Sequence, residues 1–173
     1  MGIEIPQNKF LILDGAMGTV LQQRGLSPQG RPELLNLTEP ELLDSVYKEY
    51  IAAGSQVIYA NTFGANGLKL AKTGHSVEEV VGAAIAVAKK AAAGTGTLVA
   101  LDVGPLGELL EPMGTLSFER AYDLFREMAE AGAKAGADLI VVETMTDLYE
   151  AKAALLVDAN TGRMVYGKNE HEE

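Results

Sequence analysis

The chain has 173 residues, of which 24 are acidic and 14 basic, for a formal charge of -10 at neutral pH; this surplus repels phosphate backbones and argues against nucleic-acid binding. It contains no cysteine, which excludes disulfides, thiolate nucleophiles and cysteine-ligated zinc within the chain, so no metal site is expected in it. Apolar residues make up 47% of it, enough for one buried core, yet no apolar run approaches the roughly 20 residues that span a bilayer.

The opening MGIEIPQNKF lacks a basic start followed by an apolar run, so a cytoplasmic protein is expected. Four short apolar runs then recur along the chain: Phe10–Leu13, Val57–Ala60, Leu98–Leu101 and Leu139–Val142. Each is continuous and not alternating, the pattern of strands buried on both faces of a parallel sheet. The runs end on polar residues, namely Asp14, Asn61, Asp102 and Glu143, at a period of roughly 40 residues, and Gly- or Thr-containing loops follow (DGAMGT, NTFGAN, DVGPLG, ETMTD). Helical stretches come next. Thr38 and Pro40 open the first, which stops at Gly54; Ser76 caps the second, running to Gly94; Ser117 caps the third, ending near Gly136; Thr146 opens the fourth. Beyond it, Leu155–Asp158 and Arg163–Gly167 around an Asn/Gly turn form a hairpin, or else the helix end frays into a loose tail.

Strand–helix units of this length require parallel strands, so the fold class is α/β. A doubly wound sheet and a barrel both fit. A functional-looking loop after every strand favours the barrel, in which all C-terminal strand ends share one face. A closed barrel needs eight units and four are visible, which gives half of a TIM-type (βα)8 barrel.

No dinucleotide or Walker loop and no nucleophile elbow occurs. The chemistry on offer is a set of carboxylates and amides at strand ends. Asp14 and Glu143 are the sharpest pair, because a carboxylate ending an apolar strand is costly to desolvate unless a donor or cation meets it. They read equally well as ligands for an ammonium group and as acceptors for loop N–H groups. Asp102, before Val103-Gly104-Pro105, reads as a turn former. Asn61 and Thr62 lean toward holding a ligand. Phe63 reads as a pocket wall or as core, and His75 as a surface residue. Gly15 and Gly18 either let backbone N–H groups approach a ligand carboxylate or serve a tight turn.

The stretches LDGAMGTVLQQRGL, NLTEPELLDSVYKEYIAAGSQVIYANTFGAN and DVGPLGELLEPMGTLSFERAYDLFREMAEAGAKAGADLIVVETMTDLYEAKAAL resemble the homocysteine-binding, or homocysteine S-methyltransferase, domain of cobalamin-dependent methionine synthase. The resemblance runs from Phe10 to about Leu156. It divides the chain into residues 1–157, four units of a homocysteine-binding barrel, and residues 158–173, a divergent tail or hairpin.

The resemblance implies a barrel that binds homocysteine at its C-terminal face and passes it a methyl group from methylcobalamin to form methionine. In that family a zinc ion holds the substrate sulfur as a thiolate. It assigns Asp14 and Glu143 to the substrate ammonium and adds Gly15, Ala16, Met17, Asn61, Thr62 and Phe63 to the same pocket. The family's zinc cysteines follow the fourth helix and have no counterpart here, so the expected cofactor set within this chain is none. Homocysteine or methionine is the expected ligand. A homo-oligomer, or a companion chain supplying the second half-barrel, is the expected partner. Two rival readings stand beside this one: a non-catalytic half-barrel module, and a metal-independent barrel enzyme with Asp14 and Glu143 as an acid–base pair.

Overall fold

A computed structural model describes residues 10–27 and 30–161, with side chains to Leu155. In chain order its elements are α1 (Met17–Gln23), a 3-10 turn (Pro32–Leu34), α2 (Leu35–Thr38), α3 (Pro40–Ala52), β1 (Val57–Tyr59), α4 (Gly67–Leu70), α5 (Val77–Ala92), β2 (Leu98–Val103), α6 (Phe118–Ala135), β3 (Leu139–Val142) and α7 (Leu148–Thr161).

The three strands form one parallel sheet in the order β1-β2-β3. Tyr59 pairs with Ala100, Ala100 with Leu139 and Asp102 with Val141. The expected first strand, Phe10–Leu13, does not form. Only Leu13 bridges to Val57, in parallel. The Ile12 N–H is taken by the Gln56 side-chain oxygen at 3.0 Å, and Phe10 stands 97% exposed. With one neighbour and an apolar side chain in solvent, too few ladder bonds form to fix a strand, although the segment lies along the outer edge of β1.

The sheet has two unlike faces. Ile58, Val99 and Leu101 belong to the main core with Leu43, Val46, Tyr47, Val81, Ala84, Ile85, Leu124, Phe125 and Met128 from α3, α5 and α6. Burying each of the large side chains stabilises the fold by roughly 1.5–3 kcal/mol. Gly132 lets α6 come close, because a Cβ there would lie 2.7 Å from the Leu101 side chain. The alternate residues Val57, Ala100 and Leu139 make a second, small cluster with Leu11, Tyr59, Leu98 and Val141, as the two-residue alternation of strands requires.

The helix ends follow their capping chemistry. Ser76 and Ser117 each accept a backbone N–H three residues on, from Glu79 at 3.1 Å and Arg120 at 3.2 Å. Gly136 ends α6 in the left-handed conformation, φ 89°. Two expected helix starts are corrected. Thr38 ends α2 and bonds back to Leu34 O at 3.2 Å, and Pro40 begins α3 after Glu39. Asp147, not Thr146, caps α7, since its Oδ1 accepts from Tyr149 N at 2.7 Å and Glu150 N at 3.1 Å; a carboxylate is the stronger acceptor for two N–H groups. The expected hairpin is contradicted up to Thr161, where α7 continues as helix. Residues 162–173, including Arg163–Gly167, lie outside the described residues. Among the described residues no helix is long and apolar enough to cross a membrane.

Candidate functional site

The C-terminal ends of the strands open into a cavity of about 590 Å³, lined by Leu13, Asp14, Gly15, Ala16, Met17, Gly18, Pro32, Glu33, Tyr59, Ala60, Asn61, Phe63, Asp102, Glu143 and Thr144. That volume suits a small ligand. The strand-end residues Asp14, Asn61, Asp102 and Glu143 all reach it.

Asp14 sits where the edge segment leaves β1. Its Oδ2 accepts the Tyr59 N–H at 2.9 Å, and its own N–H donates to Val57 O at 3.1 Å. Burial pushes its carboxyl up to about 6; the hydrogen bonds from Tyr59 and from its own N–H oppose that rise, and the Glu143 charge adds to it. Glu143 follows β3 and is placed by its N–H, which donates to Val103 O at 3.1 Å. The next residue, Thr144, has φ 60°, a conformation a β-branched residue adopts only under strain from its surroundings.

Asn61 is a tie as well as a wall. Its amide nitrogen donates to Pro32 O at 2.6 Å and Asn36 Oδ1 at 3.2 Å, and its backbone N–H donates to the buried Tyr47 hydroxyl at 2.8 Å. The amide donors are therefore committed to the 3-10 turn and α2, and the oxygen remains for a ligand. Asn36, which forms a glycosylation sequon with Leu37 and Thr38, is buried and donates to Asn61 O at 2.8 Å.

Thr62 does not line the cavity. It is fully buried, and its hydroxyl donates to Asp102 O at 2.8 Å and accepts from Asp102 N at 3.0 Å. Phe63 does line it. Its ring is held between Lys69, whose Nζ lies 5.4 Å from the centroid, and Gly104. The backbone of Gly15 lies against the Tyr50 ring, which a Cβ would meet at 2.9 Å, whereas a Cβ on Gly18 would meet nothing within 4 Å. Neither glycine has positive φ, so close packing explains Gly15 and the turn reading explains neither. The first turn of α1 carries no side-chain cap.

Two acidic wall residues were not legible as such. Glu33 is fixed by the Gly64 N–H at 2.8 Å. Asp102 lies within β2 and forms no turn. It is 7% exposed, and its Oδ1 has no hydrogen-bond partner. Burial first, then the charges of Glu143, Asp14 and Glu33, push its carboxyl up to about 8, so it holds its proton at neutral pH. The recurrence that placed Asp102 in register with Asn61 and Glu143 was the available signal.

The residues do not fit a thiolate-bound zinc ion. The chain has no cysteine, and among the described residues no three His, Asp or Glu side chains converge in a way that could hold a metal. What the cavity presents is negative charge and hydrogen-bond acceptors.

Over residues 11–168 the sequence matches the homocysteine S-methyltransferase family. The methionine synthases of Mycobacterium tuberculosis and Mycobacterium leprae are each 31% identical to it, across 89% of this chain and 14% of their own length; the chain thus spans a small part of those relatives. The homocysteine methyltransferase MmuM of Escherichia coli, in its metallated form, superimposes with a TM-score of 0.78 at 28% identity, over 90% of this chain and 61% of that one. Its apo form gives 0.67 at 30% identity.

Proposed function

The chain belongs to the homocysteine S-methyltransferase family, and on that premise we propose that it forms the substrate-binding half of a (βα)8-type barrel. It holds the amino-acid end of homocysteine for the methyl transfer that yields methionine. The carrying observation is the acidic cavity wall: Asp14, Glu33 and Glu143 line it beside the protonated Asp102, with no Lys, Arg or His among its described lining residues. Such a wall favours a ligand that brings its own cation, as an α-ammonium group does. Asp14 and Glu143 hold that group. Gly15, Ala16 and Met17 line the same cavity and wall the bound amino acid.

The half-barrel reading draws on the order edge segment-β1-β2-β3 and on apolar side chains left at its edge, Ile12 at 55% and Leu13 at 46% exposure. Unpaired edges recruit further strands, which a second copy or a companion chain supplies. The described residues offer no thiolate and no cluster of His, Asp or Glu for zinc. The part of the chemistry proposed for the described residues is binding and orienting the substrate.

The test is an NMR titration with L-homocysteine and L-methionine. Each charge-assisted hydrogen bond contributes roughly 1.5–3 kcal/mol before ordering costs, so millimolar affinity is expected, with shifts near Gly15, Asn61 and Thr144. Asp14→Asn and Glu143→Gln each abolish it. Two variants that bind as well as wild type, or shifts that cluster elsewhere, would remove the site.

A further inference from the structure

We propose that Thr144 receives the α-carboxylate of the ligand, so that the site selects amino acids over plain amines. This rests on the substrate reading above and deepens it: that reading gives the ammonium group to Asp14 and Glu143 and leaves the carboxylate without a partner.

Thr144 stands where glycine is the unstrained choice. Its φ is 60°, and the seven other described residues with positive φ are all glycine. A β-branched side chain is crowded by the backbone in that conformation, whereas glycine adopts it freely. The turn imposes it. Only residues 143–147 join β3 to α7, and both ends are pinned. The Glu143 N–H donates to Val103 O at 3.1 Å. Beyond the turn, the Asp147 carboxylate caps α7, and Glu150 Oε1 accepts the Leu106 N–H at 2.7 Å. A segment held this firmly sustains a strained residue.

The threonine side chain does not hold the fold. Thr144 is exposed, and among the described residues no hydrogen bond engages its hydroxyl or its N–H. It does line the cavity, next to Glu143. A strained side chain with no structural partner, at the wall of a cavity, points to a contact with what the cavity binds.

The chemistry of that contact follows from the wall. An α-carboxylate hangs on the carbon that carries the ammonium group, so it must lie close to Glu143. No Lys, Arg or His is among the described lining residues, which leaves a neutral donor to receive it. Carboxyls aside, the side-chain donors of the wall are Tyr59, Asn61 and Thr144. The Asn61 amide is committed to Pro32 O and Asn36 Oδ1. The Tyr59 ring packs with Val57, Ala100 and Leu139 along the sheet. The Thr144 hydroxyl is unengaged and follows Glu143 directly. It has one proton to donate, and a charged acceptor makes that bond a strong one.

The experiment is an NMR titration of wild type, Thr144→Ser, Thr144→Gly and Tyr59→Phe with two probes: L-methionine, and the thioether amine that is methionine without its carboxylate. Wild type is expected to prefer L-methionine. Thr144→Ser keeps the hydroxyl and should keep that preference within about twofold. Thr144→Gly should bind L-methionine about tenfold more weakly and the amine as wild type does. Its thermal midpoint should equal or exceed that of wild type, because the strain is gone. Wild type without a preference between the probes, Thr144→Gly that binds L-methionine as well as wild type, or Thr144→Gly that loses both probes alike would overturn the inference and leave the substrate reading standing. So would Tyr59→Phe, if it alone showed the carboxylate-specific loss. Thr144→Gly that is less stable than wild type, or fails to fold, would make the side chain structural and overturn the inference too. Wild type that binds neither probe would overturn both readings.

Discussion

Replacing Asp102 by Asn should make the protein more stable, and by an amount that depends on pH. In the unfolded chain this carboxyl ionises near its ordinary value of 3.8, and in the fold it keeps its proton to about 8. Between those values the unfolded state has shed a proton that the folded state retains, so wild type loses stability as pH rises through the window; below and above it the contribution is flat. The full shift sets a ceiling of about 6 kcal/mol. Water entering from the adjoining cavity lowers the working expectation to about 2–3 kcal/mol, or very roughly 5–10 °C in Tm for a chain of this size. Asn is the same shape and cannot ionise. Urea or thermal unfolding of both proteins from about pH 3 to about pH 8.5 should therefore show curves that run parallel below the ordinary value of 3.8 and separate in favour of Asp102→Asn as pH rises toward about 8. Parallel curves across that range would mean that Asp102 is ionised in the fold at neutral pH, and the account of the site's electrostatics would fall.

Gly104→Ala should distort the cavity wall, since its Cβ would lie 2.5–2.7 Å from three atoms of the Phe63 ring; a loss of about 1–3 kcal/mol by urea unfolding is expected, together with altered ligand shifts. Gly18→Ala, with open space around its Cβ, should stay within about 0.5 kcal/mol of wild type. Glu150→Ala leaves the Leu106 N–H without its 2.7 Å acceptor, which should cost about 1–3 kcal/mol and speed hydrogen exchange at that amide. Ser117→Ala removes the cap of α6 and should lower stability by about 1 kcal/mol in the same unfolding assay.

The strand order and the capping serines were legible because each has a local cause. The continuous apolar runs Val57–Ala60, Leu98–Leu101 and Leu139–Val142 mark the three strands without any knowledge of their neighbours, and Ser76 needs only the N–H three residues away. The failures were non-local. Phe10–Leu13 has a strand's composition but lacks a partner on its outer side, and no pattern within ten residues reports that. Asp102 followed by Val-Gly-Pro looks like a turn until β2 is seen to carry it into register with Val141. Thr62 looked like a ligand residue for the same reason as Asn61; pairing sends its hydroxyl to the backbone of the next strand instead. The roles of Tyr47 and Pro32 in fixing Asn61 depend on α3 and the 3-10 turn folding back over β1, which spacing alone does not encode.

The Asp14 carboxylate does the work of a missing main-chain acceptor: its Oδ2 takes the Tyr59 N–H where the edge segment departs. Strand pairing and the proposed ligand contact therefore fall on one side chain. A slip of the edge segment by one residue would carry Asp14 away from both Tyr59 and the cavity, because successive residues point to opposite faces. Ligand that binds only the paired register must then tighten that register by the factor with which pairing tightens the ligand, as reciprocity between linked equilibria demands. On the proposed reading, amino-acid affinity becomes a gauge of edge alignment, and any strand added from outside would meet a template whose phase the ligand has set.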